Sequence, residues 1–95
     1  MSDPETNGDD AGALALGAIG WIVAVPDRAA RFLALTGLDA AGLRARLEDP
    51  ALLAAAIGFL EAHEPDLIAC TQALETTPQA MLSARRELEN RCAPC

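Results

Sequence analysis

The sequence predicts an all-α protein, a compact bundle of five to six short helices, and three observations lead there. Hydrophobic residues make up 52% of the 95-residue chain but aromatic residues only 3%, so the apolar content is mostly Ala and Leu, both strong helix formers. No run alternates apolar with polar residues over the length of a strand. Breaks recur at short intervals, as an acid or Thr beside Pro or as Gly-Leu-Asp, and these are the signatures of one helix stopping and the next starting.

Residues 1–9 carry Asp3, Glu5 and Asp9 and are broken by Pro4 and Gly8. They hold too little apolar surface to offset the entropy of ordering. The sequence therefore predicts a disordered acidic arm over 1–9, a single helical domain over 10–89 and a flexible tail over 90–95. The first helix is expected from Asp10 or Ala11 to Val25, with Asp10 as its cap. It is apolar all round: Leu14, Ala18, Trp21, Ile22 and Val25 form one stripe, and Leu16, Ile19 and Val23 another. A helix of that kind is buried or shared with a partner. Gly12, Gly17 and Gly20 each cost about 1 kcal/mol relative to Ala inside a helix. Close approach of another helix, in the fold or across an interface, is the compensation expected.

Pro26 ends the first helix by removing a donor and restricting Val25. The second helix runs from Pro26-Asp27 to about Thr36, with Ala29, Phe32, Leu33 and Thr36 inward and Arg28 and Arg31 toward solvent. Gly37 supplies a left-handed residue and Leu38 the apolar contact of a Schellman ending. Asp39 caps a short third helix, with Leu43 and Leu47 inward and Arg44 and Arg46 outward. Asp49-Pro50 starts the fourth, with Pro at the first helical position, where no donor is needed. Its stripe is Leu53, Ala56, Ile57 and Leu60, with Phe59 beside it, and it ends near Ala62 or His63. Glu64-Pro65-Asp66 starts the fifth helix, which turns Leu67, Cys70, Thr71 and Leu74 inward. Thr77-Pro78 starts the sixth, with Met81, Leu82, Ala84, Arg85 and Leu88 on or near the core face and a stop before Asn90.

Sliding the chain so that Pro26-Asp27 falls on Pro65-Asp66 also aligns Ala34-Leu35 with Ala73-Leu74, Leu43 with Leu82, and Arg46 with Arg85. The chain thus reads as two copies of a three-helix unit, although Ala and Leu matches come easily in so biased a sequence. Loops of two to four residues make successive helices neighbours either way.

The segment Phe32-Leu-Ala-Leu-Thr-Gly-Leu-Asp39, with Leu43-Arg44, Asp49-Pro-Ala-Leu-Leu53 and the stretch to Phe59-Leu60, resembles the DUF3572 family of small proteobacterial proteins. The resemblance spans about Ala11 to Leu88. It implies a compact helical domain of unknown function and carries over no catalytic residue or cofactor. Members of that family tend to repeat a Gly-Leu junction before the last helix. Here Glu75-Thr-Thr-Pro78 stands instead, which implies a less tightly wound final junction.

Charge narrows the functions. The chain has 14 acids against seven bases, all of them Arg, for a net charge of −7. Phosphate binding needs clustered cations, and the adjacent Arg85 and Arg86 are followed at once by Glu87 and Glu89. Neither nucleic acid nor membrane is therefore expected as a partner. The acidic N-terminus is the reverse of an export signal, and the uncharged stretch from Ala11 to Val25 falls short of the ~20 residues a span needs. A cytoplasmic location is the expectation.

Chemistry is hard to assemble from these residues. His63 is the only histidine. It could join Glu64 and Asp66 around a metal, but as a residue at the end of a helix its partial positive charge already suits the dipole. Cys92-Ala-Pro-Cys95 has the spacing of a redox or metal half-site, yet lies at a chain end, and tetrahedral zinc would need two more ligands. Asp10, Asp39, Asp49 and Asp66 all stand at helix starts, where capping accounts for them. The expectation is a non-enzymatic protein-interaction or regulatory module with no catalytic residue, cofactor or metal. Its candidate interface is Leu14, Trp21, Ile22 and Phe59, facing an unknown protein partner or a second copy. The alternative is a metal-binding or redox protein using His63 with Cys70, Cys92 and Cys95.

Overall fold

The structure is a computed structural model that describes residues 7–92. Most of the expected acidic arm and the end of the expected tail, Cys95 included, lie outside the described residues. Among those described, the elements are α1 (Asn7–Val23), α2 (Pro26–Thr36), α3 (Ala40–Ala45), α4 (Pro50–Glu61), α5 (Glu64–Ala73) and α6 (Pro78–Cys92), with no strand. The protein is all-α, as its composition requires.

Boundaries depart from expectation at three places. α1 begins at Asn7, about a turn early, so Asp10 lies within the helix and not at its start. α1 then stops at Val23, and Val25 becomes the extended residue before α2, with φ −117° and ψ 122°. The ring of Pro26 forbids Val25 the helical conformation. The chain turns by 119° there. α6 continues through Cys92, since nothing before Pro94 breaks it and Arg91 reaches back to Glu87 at 3.3 Å, one turn away.

The caps follow the sequence closely. Asp39 accepts from the Gly42 N–H at 2.7 Å, Asp49 from Ala51 at 2.9 Å and Thr77 from Ala80 at 3.1 Å. Asp66 does not cap. It lies inside the first turn of α5, its Oδ2 3.2 Å from His63 Nδ1 and 3.7 Å from the Arg31 guanidinium. His63 itself is the extended residue preceding α5.

Two junctions exchange the roles assigned to them. Gly37 is left-handed at φ 76° and its N–H bonds Leu33 O at 2.8 Å. The Leu38 N–H, however, reaches Thr36 Oγ1 at 3.4 Å, so α2 ends in the simpler left-handed motif and not in a Schellman pair. The Schellman pair occurs instead after α5, where Thr76 N bonds Thr71 O at 2.8 Å and Glu75 N bonds Gln72 O at 3.2 Å. The left-handed residue there is Glu75, at φ 59°. The final junction is fully wound, with a glutamate where glycine would be unstrained.

α4 is the central helix, packed against α1, α2, α5 and α6, with α1 and α6 also in contact. It buries Leu52, Leu53, Ala54, Ala56, Ile57 and Leu60. Around it are closed Ala15, Ala18, Ile19 and Ile22 from α1, Phe32 from α2, Cys70 from α5, and Met81, Ala84 and Leu88 from α6. Each large side chain so buried contributes roughly 1.5–3 kcal/mol. α3, by contrast, lies at the edge with Leu43 as its one buried residue. Of the repeat partners, α1 with α4 and α2 with α5 correspond, whereas α3 has six residues and α6 fifteen. No single helix among the described residues is long and apolar enough to cross a membrane.

Candidate functional site

An apolar groove opens between α1, α2 and α3, with a volume of about 470 Å³. Its first wall is Leu16, Ile19, Gly20 and Val23 of α1, spaced i, i+3, i+4, i+7, which is one complete helix face. Ala29 and Leu33 of α2 form the floor. Ala40, Leu43 and Arg44 of α3, with Leu47 just beyond its end, form the opposite wall. The groove exists because α3 is too short to close over α1. Consequently Leu16 and Val23 remain 42% and 39% exposed, although both are apolar. A Cβ built on Gly20 would meet nothing within 4 Å, whereas one on Gly17 would meet Leu74 at 3.3 Å. Close approach within the fold thus compensates for Gly17 but not for Gly20.

The four residues expected to form an interface are not brought together. Ile22 is completely buried beside Ile57 and Phe32 in the core cluster, so it cannot contribute to a surface. The other three are half-buried and packed against the core. Leu14 edges a depression with Gly17 and Leu74. Trp21 is covered by Arg28, whose guanidinium stacks 3.5 Å from the ring centroid and whose Nη2 donates to the Trp21 carbonyl at 2.8 Å. Arg28 is therefore turned inward, contrary to expectation, and it adds a second donor to a carbonyl that otherwise accepts only the long 3.4 Å bond from the Ala24 N–H where α1 stops. Phe59 packs edge-to-face on Phe32, with centroids 5.4 Å apart, and borders a second depression where Leu35 stands out 66% exposed. Of the alternate stripe, Leu16 and Val23 reach the surface while Ile19 between them is buried in the core; Val25 of the first stripe is also exposed. The spacing of both stripes was visible in the sequence, but nothing there said which of their residues the other helices would cover.

The polar residues offer little chemistry. Cys70 is buried, and burial pushes its thiol up to about 11, with smaller opposed influences from Arg28 and Asp66; a protonated thiol is a poor nucleophile and ligand. Arg85 is held above its ordinary pKa by hydrogen bonds to Glu61 at 2.6 Å and Glu89 at 2.8 Å, a pairing that ties α4 to α6. Among the described residues, no three His, Cys, Asp or Glu side chains are placed to hold a metal ion.

A family model described as "Protein of unknown function (DUF3572)" matches residues 8–91. The chain belongs to the DUF3572 family. Neither a curated protein nor a solved structure matches it. For this DUF3572 member the match reaches all six helices, so the groove, the Gly37 junction and the central α4 all lie within the matched residues.

Proposed function

We propose that this DUF3572 protein is a non-catalytic docking module whose groove between α1, α2 and α3 receives a protein partner. One observation carries the reading: Leu16 and Val23 stand about two-fifths exposed on α1, opening onto a groove whose lining is apolar except for Arg44. Leaving such side chains in water forgoes burial worth roughly 25 cal/mol per Å², and apolar concavities of this size are where partners and ligands commonly sit. Gly20, with open space above its backbone, supports the same reading.

The test is a double substitution, Leu16→Glu with Val23→Glu. Both side chains are partly exposed, so helicity and cooperative unfolding should be retained while a partner captured from the native host by cross-linking is lost. Capture that persists unchanged in the folded double variant would refute the proposal.

A further inference from the structure

We infer that the groove's occupant is an amphipathic helix of a separate protein, bearing a carboxylate that pairs with Arg44; this rests on the docking reading above. The α1 wall from Leu16 to Val23 spans seven residue steps, about 10 Å of helix at 1.5 Å each, and so matches two turns of a docked helix. The α1 wall, with i, i+3, i+4, i+7 spacing along one helix face, accepts ridges of the same spacing. Gly20 removes the one side chain that would hold a docked backbone away at mid-wall. Leu16 and Val23, at the two ends of the α1 wall, are themselves exposed, whereas a small molecule is ordinarily enclosed over most of its surface.

Charge selects among helices. Arg44 is the one charged side chain lining the groove. Of the seven arginines, Arg28, Arg31, Arg85 and Arg91 engage a carbonyl or a carboxylate. Arg44 is exposed and makes no ion pair or side-chain hydrogen bond among the described residues, in a chain with twice as many acids as bases. Its i+4 neighbour Glu48 would be a partner on a continuous helix, but α3 ends at Ala45 and Glu48 falls out of register. A helix seated in the groove would exclude water from around this guanidinium, where an opposite charge is screened less than on open surface. A second copy fits less well, because each brings a net charge of −7 toward the other.

The probe is a phage-displayed library of single helices with both the apolar face and its flanks randomised, selected on the full-length protein and counter-selected on Leu16→Glu. Enriched helices should carry large apolar residues at i, i+3 or i+4, and i+7, with Asp or Glu on one flank; selection on Arg44→Glu should replace that acid with Lys or Arg. In the best helix, changing the acid to Lys should weaken binding roughly fivefold to the unmodified protein and not to Arg44→Glu. Leu16-dependent helices without an acidic preference, or with one indifferent to Arg44→Glu, overturn the carboxylate pairing and leave docking intact. Absence of any Leu16-dependent helix overturns both. A dimer in sedimentation that Leu16→Glu dissociates overturns the separate partner in favour of self-association.

Discussion

Replacing Glu75 by Gly should stabilise this protein. Glu75 holds a φ of 59°, where the Cβ of an L-residue crowds the following carbonyl at a cost of about 1–2 kcal/mol. Glycine avoids that crowding, but its freer unfolded backbone returns about 0.5–1 kcal/mol to the unfolded state. The Glu75 side chain is exposed, so deleting it removes little from the folded state. The net gain is about 0.5–1 kcal/mol, or about 3–6 °C in Tm for a domain of this length. Urea titrations followed by far-UV circular dichroism would measure it, with an unchanged m-value showing that only stability has moved. Glu75→Ala keeps the Cβ and should stay within about 0.5 kcal/mol of the parent. Gly37→Ala introduces the same crowding at φ 76° and should lose about 1–2 kcal/mol. If Glu75→Gly were no more stable than Glu75→Ala, the left-handed Schellman geometry assigned to this junction would be wrong.

Two further outcomes follow from burial. Ile22→Ala should cost about 2–5 kcal/mol, because Ile22 is fully buried, while Leu16→Ala on the same helix should cost less than about 1 kcal/mol; similar losses in urea titrations would contradict the assignment of α1's two stripes. The Cys70 thiol is raised from about 9 to about 11, so in alkali the unfolded chain releases its proton first and folding retains one. Stability owed to the neutral thiol is complete below about pH 9 and declines as pH rises toward 11, by on the order of 2 kcal/mol. Cys70→Ala, although less stable at neutral pH, should lack that part of the slope, and identical slopes in the two proteins would show that Cys70 does not contribute it.

Much of the fold was legible one residue at a time. Asp39, Asp49 and Thr77 cap the helices they precede, Gly37 is left-handed, and Leu53, Ala56, Ile57 and Leu60 face the core. These features depend on neighbours within about four positions in the chain, so local spacing carries them. Even the misplaced Schellman ending is a local error: Thr36 offers the Leu38 N–H a hydroxyl oxygen, while Glu75 tolerates a conformation that sequence rules reserve for glycine.

The candidate site was not local. In the sequence α1 has two equivalent apolar stripes, and a helix cannot choose between them by itself. The outcome was set by α4 and α6, which pack against α1 and leave Ala18, Ile19 and Ile22 buried from both stripes, and by an α3 of six residues, too short to reach across Leu16 and Val23. Likewise Arg28 reads as a solvent-facing cation until the turn between α1 and α2 sets its guanidinium over the Trp21 ring and within hydrogen-bond distance of the Trp21 carbonyl. Sequence alone determined the helical class, the order of the helices and most of their caps, since these follow from intrinsic propensity and near-neighbour hydrogen bonds. Only tertiary packing decided which apolar surface stays open, because burial depends on residues that meet in space from distant parts of the chain.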